Sequence, residues 1–192
     1  MMRLICALIL AFGLSACRFG SPDSISIAFS AYASTPVVVT DMSVNGQRFN
    51  FFPKVVRGKG DTNRPMEGAG RMLLGYPKGS SEMALEISWV ELLTQRAFRA
   101  TTLVSLKSLE ISASGAAEFM PVFGPGGLLI VASDPIPKTA QDKTIVDVAR
   151  VCAERDISAD TDFAADPGEF AGLLEAVEAT YPAAAASECP SS

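Results

Sequence analysis

Two facts restrict the chemistry of this chain before any motif is considered: it contains no histidine, and it contains four cysteines, Cys6, Cys17, Cys152 and Cys189. Without imidazole there is no Ser-His-Asp or Cys-His relay and no histidine zinc site. Carboxylate, lysine and tyrosine chemistry remain, but none of these residues recurs at a spacing that marks a catalytic centre. Two stretches come near a ligand-binding motif. Gly70 and Gly75 have the G-x-x-x-x-G spacing of a phosphate loop, yet Tyr76 stands where lysine is required. DISADTD, residues 156–162, alternates acids as a calcium loop begins, but position six lacks glycine and position twelve is Pro167. No catalytic residue, metal ligand or cofactor is assigned, and the expectation is a binding protein.

The charges that could bind a partner are concentrated in one place. Residues 54–80 carry Lys54, Arg57, Lys59, Arg64, Arg71 and Lys78 against only Asp61 and Glu67, within a run rich in glycine and proline. This reads as a long basic loop in a protein of net charge −5. Long loops on a β scaffold carry binding function more often than the scaffold does. Arg57, Lys59, Arg64, Arg71 and Lys78 are therefore the candidate partner contacts. The competing reading is a loop neutralised by the protein's own acidic C-terminal part. The negative total argues against nucleic acid as the partner.

At the N-terminus, Arg3 precedes an apolar run, Leu4 to Leu14, that is too short to span a bilayer. Leu14, Ser15, Ala16 and Cys17 follow, and this stretch resembles a bacterial lipobox, [LVI]-[AST]-[GA]-C. The resemblance implies a signal peptide over 1–16, a lipidated and N-acylated Cys17, and stable anchoring, since each buried methylene contributes about 0.8 kcal/mol. Arg18, rather than aspartate, follows the cysteine, which by the usual sorting rule implies the periplasmic face of the outer membrane. The membrane partner is then the lipid alone. With Cys6 removed and Cys17 acylated, Cys152 and Cys189 are left in an oxidising compartment. They read as one disulfide, with two buried thiols as the alternative. Such a bond contributes roughly 3–4 kcal/mol on the chain-entropy model.

The elements that would position these residues are mostly strands. SISIAFSAY (24–32) alternates apolar and small or polar residues. Asn45-Gly46 lies between two β-rich runs and predicts a type I′ hairpin pairing Val44 with Gln47 and Ser43 with Arg48, with Met42, Phe49 and Phe51 on the core face. EMALEISWVEL (82–92) alternates Met83, Leu85, Ile87 and Trp89 with polar or small residues, and Trp89 reads as a core anchor. Residues 97–111 predict one long strand or two short ones, and AEFMPVF and LLIVAS flank GPGG as a second hairpin. Beyond Pro135 the period changes. Thr139 and Asp142 resemble a capping box, and Ile145, Val148, Ala149 and Cys152 recur at helical spacing to about Arg155. Asp166, Pro167 and Glu169 start a second helix with Phe170, Leu173, Leu174 and Val177 as its stripe.

The fold class expected is mainly β: an antiparallel β-sandwich-like domain over 17–135, with a two-helix C-terminal appendage over 136–192. The order of lipobox leader, SVNGQRF hairpin, glycine-rich basic segment and LEISWVE strand resembles small proteobacterial periplasmic lipoproteins associated with type VI secretion phospholipase effectors. That resemblance covers about residues 14–132. It implies an immunity protein that binds and blocks a lipase-like effector at the membrane, where a tether raises local concentration. The alternative is a structural lipoprotein subunit of an envelope or secretion assembly.

Overall fold

The computed structural model describes residues 24–50, 52–57, 69–75, 79–112, 114–133, 146–161, 171–180 and 188–189. The leader 1–16, Cys17, Phe51, Thr139, Asp142, Ile145, Asp166, Pro167, Glu169 and Phe170 lie outside them, as do the side chains of Leu173 and Val177. The described residues form two sheets facing one another. Sheet I has the order β10 (Val146–Cys152), β9 (Leu128–Ser133), β8 (Ala117–Gly124), β1 (Ser24–Ala31) and β5 (Ala69–Gly75). Sheet II runs β11 (Glu154–Arg155), β7 (Ala97–Ser105), β6 (Glu82–Glu91), β2 (Val37–Val44) and β3 (Gln47–Arg48), and β4 (Lys54–Val56) also pairs with β2. All ladders are antiparallel except β1 with β8, which is parallel, so sheet I is mixed.

Alternation explains why these segments are strands and which face each buries. On β6, Met83, Leu85, Ile87 and Trp89 are fully buried, while Glu82, Ala84, Glu86 and Ser88 take the opposite side. Ile25, Ile27, Phe29 and Ala31 of β1 face them from sheet I and join the same core, with Phe119 and Phe123 of β8 and Leu129 and Val131 of β9. Trp89 stacks on Phe98 at 5.9 Å between ring centroids and meets Phe123 at 5.0 Å. The β2–β3 turn has positive φ at both Asn45 (51°) and Gly46 (76°), as a type I′ hairpin requires. Its register pairs Val44 with Gln47 and Ser43 with Arg48, and the Phe49 N–H donates to the Met42 carbonyl at 3.1 Å. At the GPGG turn Gly126 and Gly127 both have positive φ, and a Cβ on Gly127 would overlap the Phe98 ring.

The outer faces are also occupied. On sheet II, Val38, Val90, Leu92 and Ala97 pack with Leu174 of helix α1 (Ala171–Thr180). On sheet I, Ala28, Met120, Val122, Leu128, Ile130 and Ala132 form a separate buried cluster against which Tyr32 and Cys189 pack. Every residue of β8 and β9 is consequently buried, the pattern of strands covered on both sides.

One expected element has the wrong type. Of the two helices expected after Pro135, only the second is present, and residues 146–155 are strand instead. β10 pairs with β9, and the chain then crosses to the other sheet: the Ala153 N–H donates to the Gly127 carbonyl at 2.9 Å, and β11 pairs with β7. This segment joins the two sheets along one side, so the sandwich draws strands from both sides of position 135. A β-bulge between Asp147 and Ala149 explains the misleading period. It breaks the alternation, so the adjacent residues Val148 and Ala149 both pack against the core before Val151 and Ala153 resume the period of two, and that adjacent pair resembles the i+3, i+4 step of a helix.

Candidate partner-binding surface

The basic segment 54–80 is not a continuous loop. Its first residues form β4, and Ala69–Gly75 forms β5, which pairs with β1 at the margin of sheet I. Met72 and Leu74 turn toward the core, as alternation demands, leaving Arg71 and Leu73 on the other side. Leu73 is 70% exposed, a large apolar residue in water on a strand with one described neighbour. Arg57 is exposed just beyond β4. Lys59, Arg64 and Lys78 lie outside the described residues.

Arg71 is the one candidate contact whose guanidinium has defined partners here. It donates to the Glu118 carboxylate on β8 and reaches Ser26 Oγ on β1 at 3.4 Å. Glu118 has 4% of its side chain exposed while Arg71 has 40%. A carboxylate buried to that degree requires a cation or several donors. Arg71 thus braces three adjacent strands, and Glu118 stands among apolar residues in AEFMPVF, a placement the sequence reading missed. The signal was there: a lone acid inside an apolar strand needs a partner.

Beside β5, the space between the sheets opens into a cleft of about 180 Å³. Ile25, Val44, Phe49 and Leu74 line it together with the amide side chains of Asn45 and Gln47. The described lining residues include no ionisable group, so the cleft suits one apolar side chain of a partner rather than an ionic ligand. The Asn45 side chain is fixed, since its Oδ1 accepts the Ala84 N–H at 2.8 Å.

Several charged residues elsewhere are tied into the scaffold. Glu91, 3% exposed, accepts the Gly127 N–H (3.1 Å) and the Thr94 hydroxyl (2.6 Å), tying β6 to the GPGG turn. Asp160, from the stretch read against a calcium loop, accepts both guanidinium nitrogens of Arg155 (2.5 and 2.6 Å) and the Ala97 N–H (2.8 Å). The hydrogen bond to Arg155 holds the Asp160 carboxyl below the usual range and in turn raises Arg155. Arg155 and Arg96 also lie 5.4 and 5.2 Å from the Phe98 ring centre. Among the described residues, no three His, Cys, Asp or Glu side chains are grouped to hold a metal, and no helix is long and apolar enough to cross a membrane.

Cys152 and Cys189 are joined in a disulfide, with Cα atoms 5.7 Å apart. Cys17 lies outside the described residues. Compared with family models, curated proteins and solved structures, the chain finds no match in any of the three.

Proposed function

We propose that this chain is an exported lipoprotein, anchored through Cys17 to the periplasmic face of the outer membrane, that works as a protein-binding module. Its most specific role is immunity: stoichiometric blockade of a type VI lipase-like effector. The observation that carries the reading is the Cys152–Cys189 disulfide, because such bonds persist in oxidising compartments and are rare in the cytosol. That agrees with the lipobox reading of LSAC, which was reached from different residues. The contact surface is the margin of β5, with Leu73 exposed and the cleft alongside, where an extended partner segment adds a strand and seats one apolar side chain. Binding of this kind needs no catalytic group.

Deleting the gene in its own strain tests the role. The deletion strain is expected to lose in competition against its parent only while the parent's secretion apparatus is intact, and to be rescued by the wild-type chain. Cys17→Ser should rescue poorly, and Leu73→Arg should fold but not rescue. A deletion strain that competes equally against a secreting parent removes the immunity reading. Loss of envelope integrity without any competitor would favour the structural-subunit alternative.

A further inference from the structure

Among the described residues, five large apolar side chains are exposed: Leu73, Leu103, Ile111, Val146 and Ile157. The ladders place each one along the sandwich. β1 starts at Ser24, opposite Gly75 of β5, and its second residue, Ile25, is level with Ala117 at the start of β8. Val44 and Asn45 of sheet II reach the same end, because they line one cleft with Ile25, Leu74 and Gly75. β6 begins and β7 finishes there too, since Val44 pairs with Leu85 and Glu82 with Ser105.

Four of the five exposed residues belong to this end. Leu73 is opposite Ser26, Leu103 lies two residues before the end of β7, Ile111 bridges to Ala117, and Val146 opens β10. Ser133 ties the last two together: it is the ladder partner of Val146, and its hydroxyl accepts the Glu110 N–H at 2.8 Å. Ile157 is at the opposite end, next to Asp156, whose N–H donates to the Ala97 carbonyl at the start of β7. Exposed apolar residues scattered singly need no explanation, but a set gathered at one end marks a contact surface.

The same end is where the chain arrives from Cys17. Seven residues on from Cys17 is Ser24, a covalent reach of at most about 25 Å. A lipid on Cys17 therefore holds the start of β1 close to the bilayer and keeps its apolar neighbours at high local concentration there. Leu103 is about 7 Å short of the end of its strand at about 3.3 Å per residue. That lies within the roughly 5–10 Å to which apolar groups of interfacial segments enter the headgroup boundary. Lys107 is exposed at this end together with Glu82 and Glu110, so the charge is of both signs. The surface has no cluster of described cations to draw it to anionic headgroups, and its complement is neutral lipid.

We infer that the end of the sandwich carrying the start of β1 rests on the bilayer, with Leu103, Ile111 and Val146 entering the headgroup boundary and the end carrying Ile157 turned away from it. This orientation rests on the Cys17 anchor proposed above. It also brings Leu73 and the cleft down beside the lipid, so a partner that reaches β5 does so at the membrane surface.

The test uses the lipidated chain, purified from membranes and reconstituted into phosphatidylcholine vesicles with brominated or ordinary acyl chains. The variants Leu103→Cys, Ile111→Cys, Val146→Cys and Ile157→Cys each carry bimane, attached without reductant so that Cys152–Cys189 stays joined. All four sites are exposed, and native Trp89 emission verifies that each variant is folded. Bimane at positions 103, 111 and 146 should be blue-shifted and lose emission to the brominated chains, in low and high salt alike. Bimane at 157 should do neither. Quenching at none of the first three positions, or equally at all four, overturns the orientation. A blue shift without quenching puts the patch against protein rather than lipid and overturns it as well, and quenching that vanishes in high salt removes the apolar contact. Intact mass of the same preparation separates these results from failure of the anchor. A chain without acyl groups on Cys17 removes the anchor and the orientation together, whereas a lipidated chain with unquenched labels removes the orientation alone.

Discussion

The guanidinium of Arg71, on the marginal strand β5, passes β1 to meet the buried carboxylate of Glu118 on β8. The two residues are 47 positions apart in sequence and two ladders apart in the sheet. Their pairing allows a buried charge to stay on a face whose other buried residues are apolar or small hydroxyls. It also makes Arg71, one of the proposed partner contacts, a structural brace before it can be a partner contact.

Replacing Arg71 by alanine leaves Glu118 buried without its cation. The expected loss is about 1–3 kcal/mol, the cost of a buried hydrogen-bonding group left unpaired. The double variant Arg71→Met, Glu118→Leu should recover most of it, because similar-sized apolar pairs replace buried ion pairs at little cost. Urea unfolding of the wild type, both single variants and the double variant measures the coupling. Additive losses would mean that the pair does not interact.

Gly127 tests the junction between the sheets. At φ +81°, with the Phe98 ring against its α-carbon, Gly127→Ala adds left-handed strain to an overlap with an aromatic ring. A loss of about 2–4 kcal/mol is expected on those two terms together. Gly115→Ala has a similar φ, +83°, and open space around it, so it should cost only the strain, about 1–2 kcal/mol. Thermal unfolding of the two variants side by side separates crowding from conformation.

Asp160 predicts one part of the acid sensitivity. Its folded carboxyl titrates below its ordinary value of 3.8, chiefly through the hydrogen bond to Arg155. A carboxyl with a depressed folded pKa contributes stability that is complete above the unfolded value and disappears as pH falls through the folded one. The stability difference between wild type and Asp160→Asn should therefore be constant from pH 7 to about 5 and should close below pH 4. Chemical unfolding at several pH values reads this directly. A gap that closes already between pH 7 and 5 would contradict it.

Trp89, the sole tryptophan, is fully buried between Phe98 and Phe123. Trp89→Ala should destabilise the chain by about 3–5 kcal/mol, and Trp89→Phe by less, since a ring remains in the stack. In the wild type its emission should be blue-shifted relative to the denatured chain and should move in one step with circular dichroism on unfolding. Non-coincident curves would show that one part of the sandwich opens before the other.

Local patterns were legible where one strand or one turn decides the outcome. The Asn45-Gly46 turn and its register follow from two residues that tolerate positive φ. The inward set Met83, Leu85, Ile87 and Trp89 follows from strict alternation with polar or small neighbours. The basic segment misled because Arg71 and the glycines of AGRMLLG outweigh the short alternation of Met72 and Leu74, and only pairing with β1 makes that stretch a strand. Residues 146–155 misled for the reason given by their bulge: two consecutive residues facing the core erase the period of two.

By itself the sequence determined a mainly β chain, the two hairpin turns and the residues of the inner core, because alternation and turn chemistry act over a few residues. It read Cys152 and Cys189 as one disulfide, with two buried thiols as the alternative, and the tertiary structure joins them. The tertiary structure decided the strand order, the parallel alignment of β1 with β8, the burial of both faces of β8 and β9, and the meeting of Arg71 with Glu118. These are contacts between segments far apart in the chain. Their energies arise only when whole faces come together, so no local period encodes them.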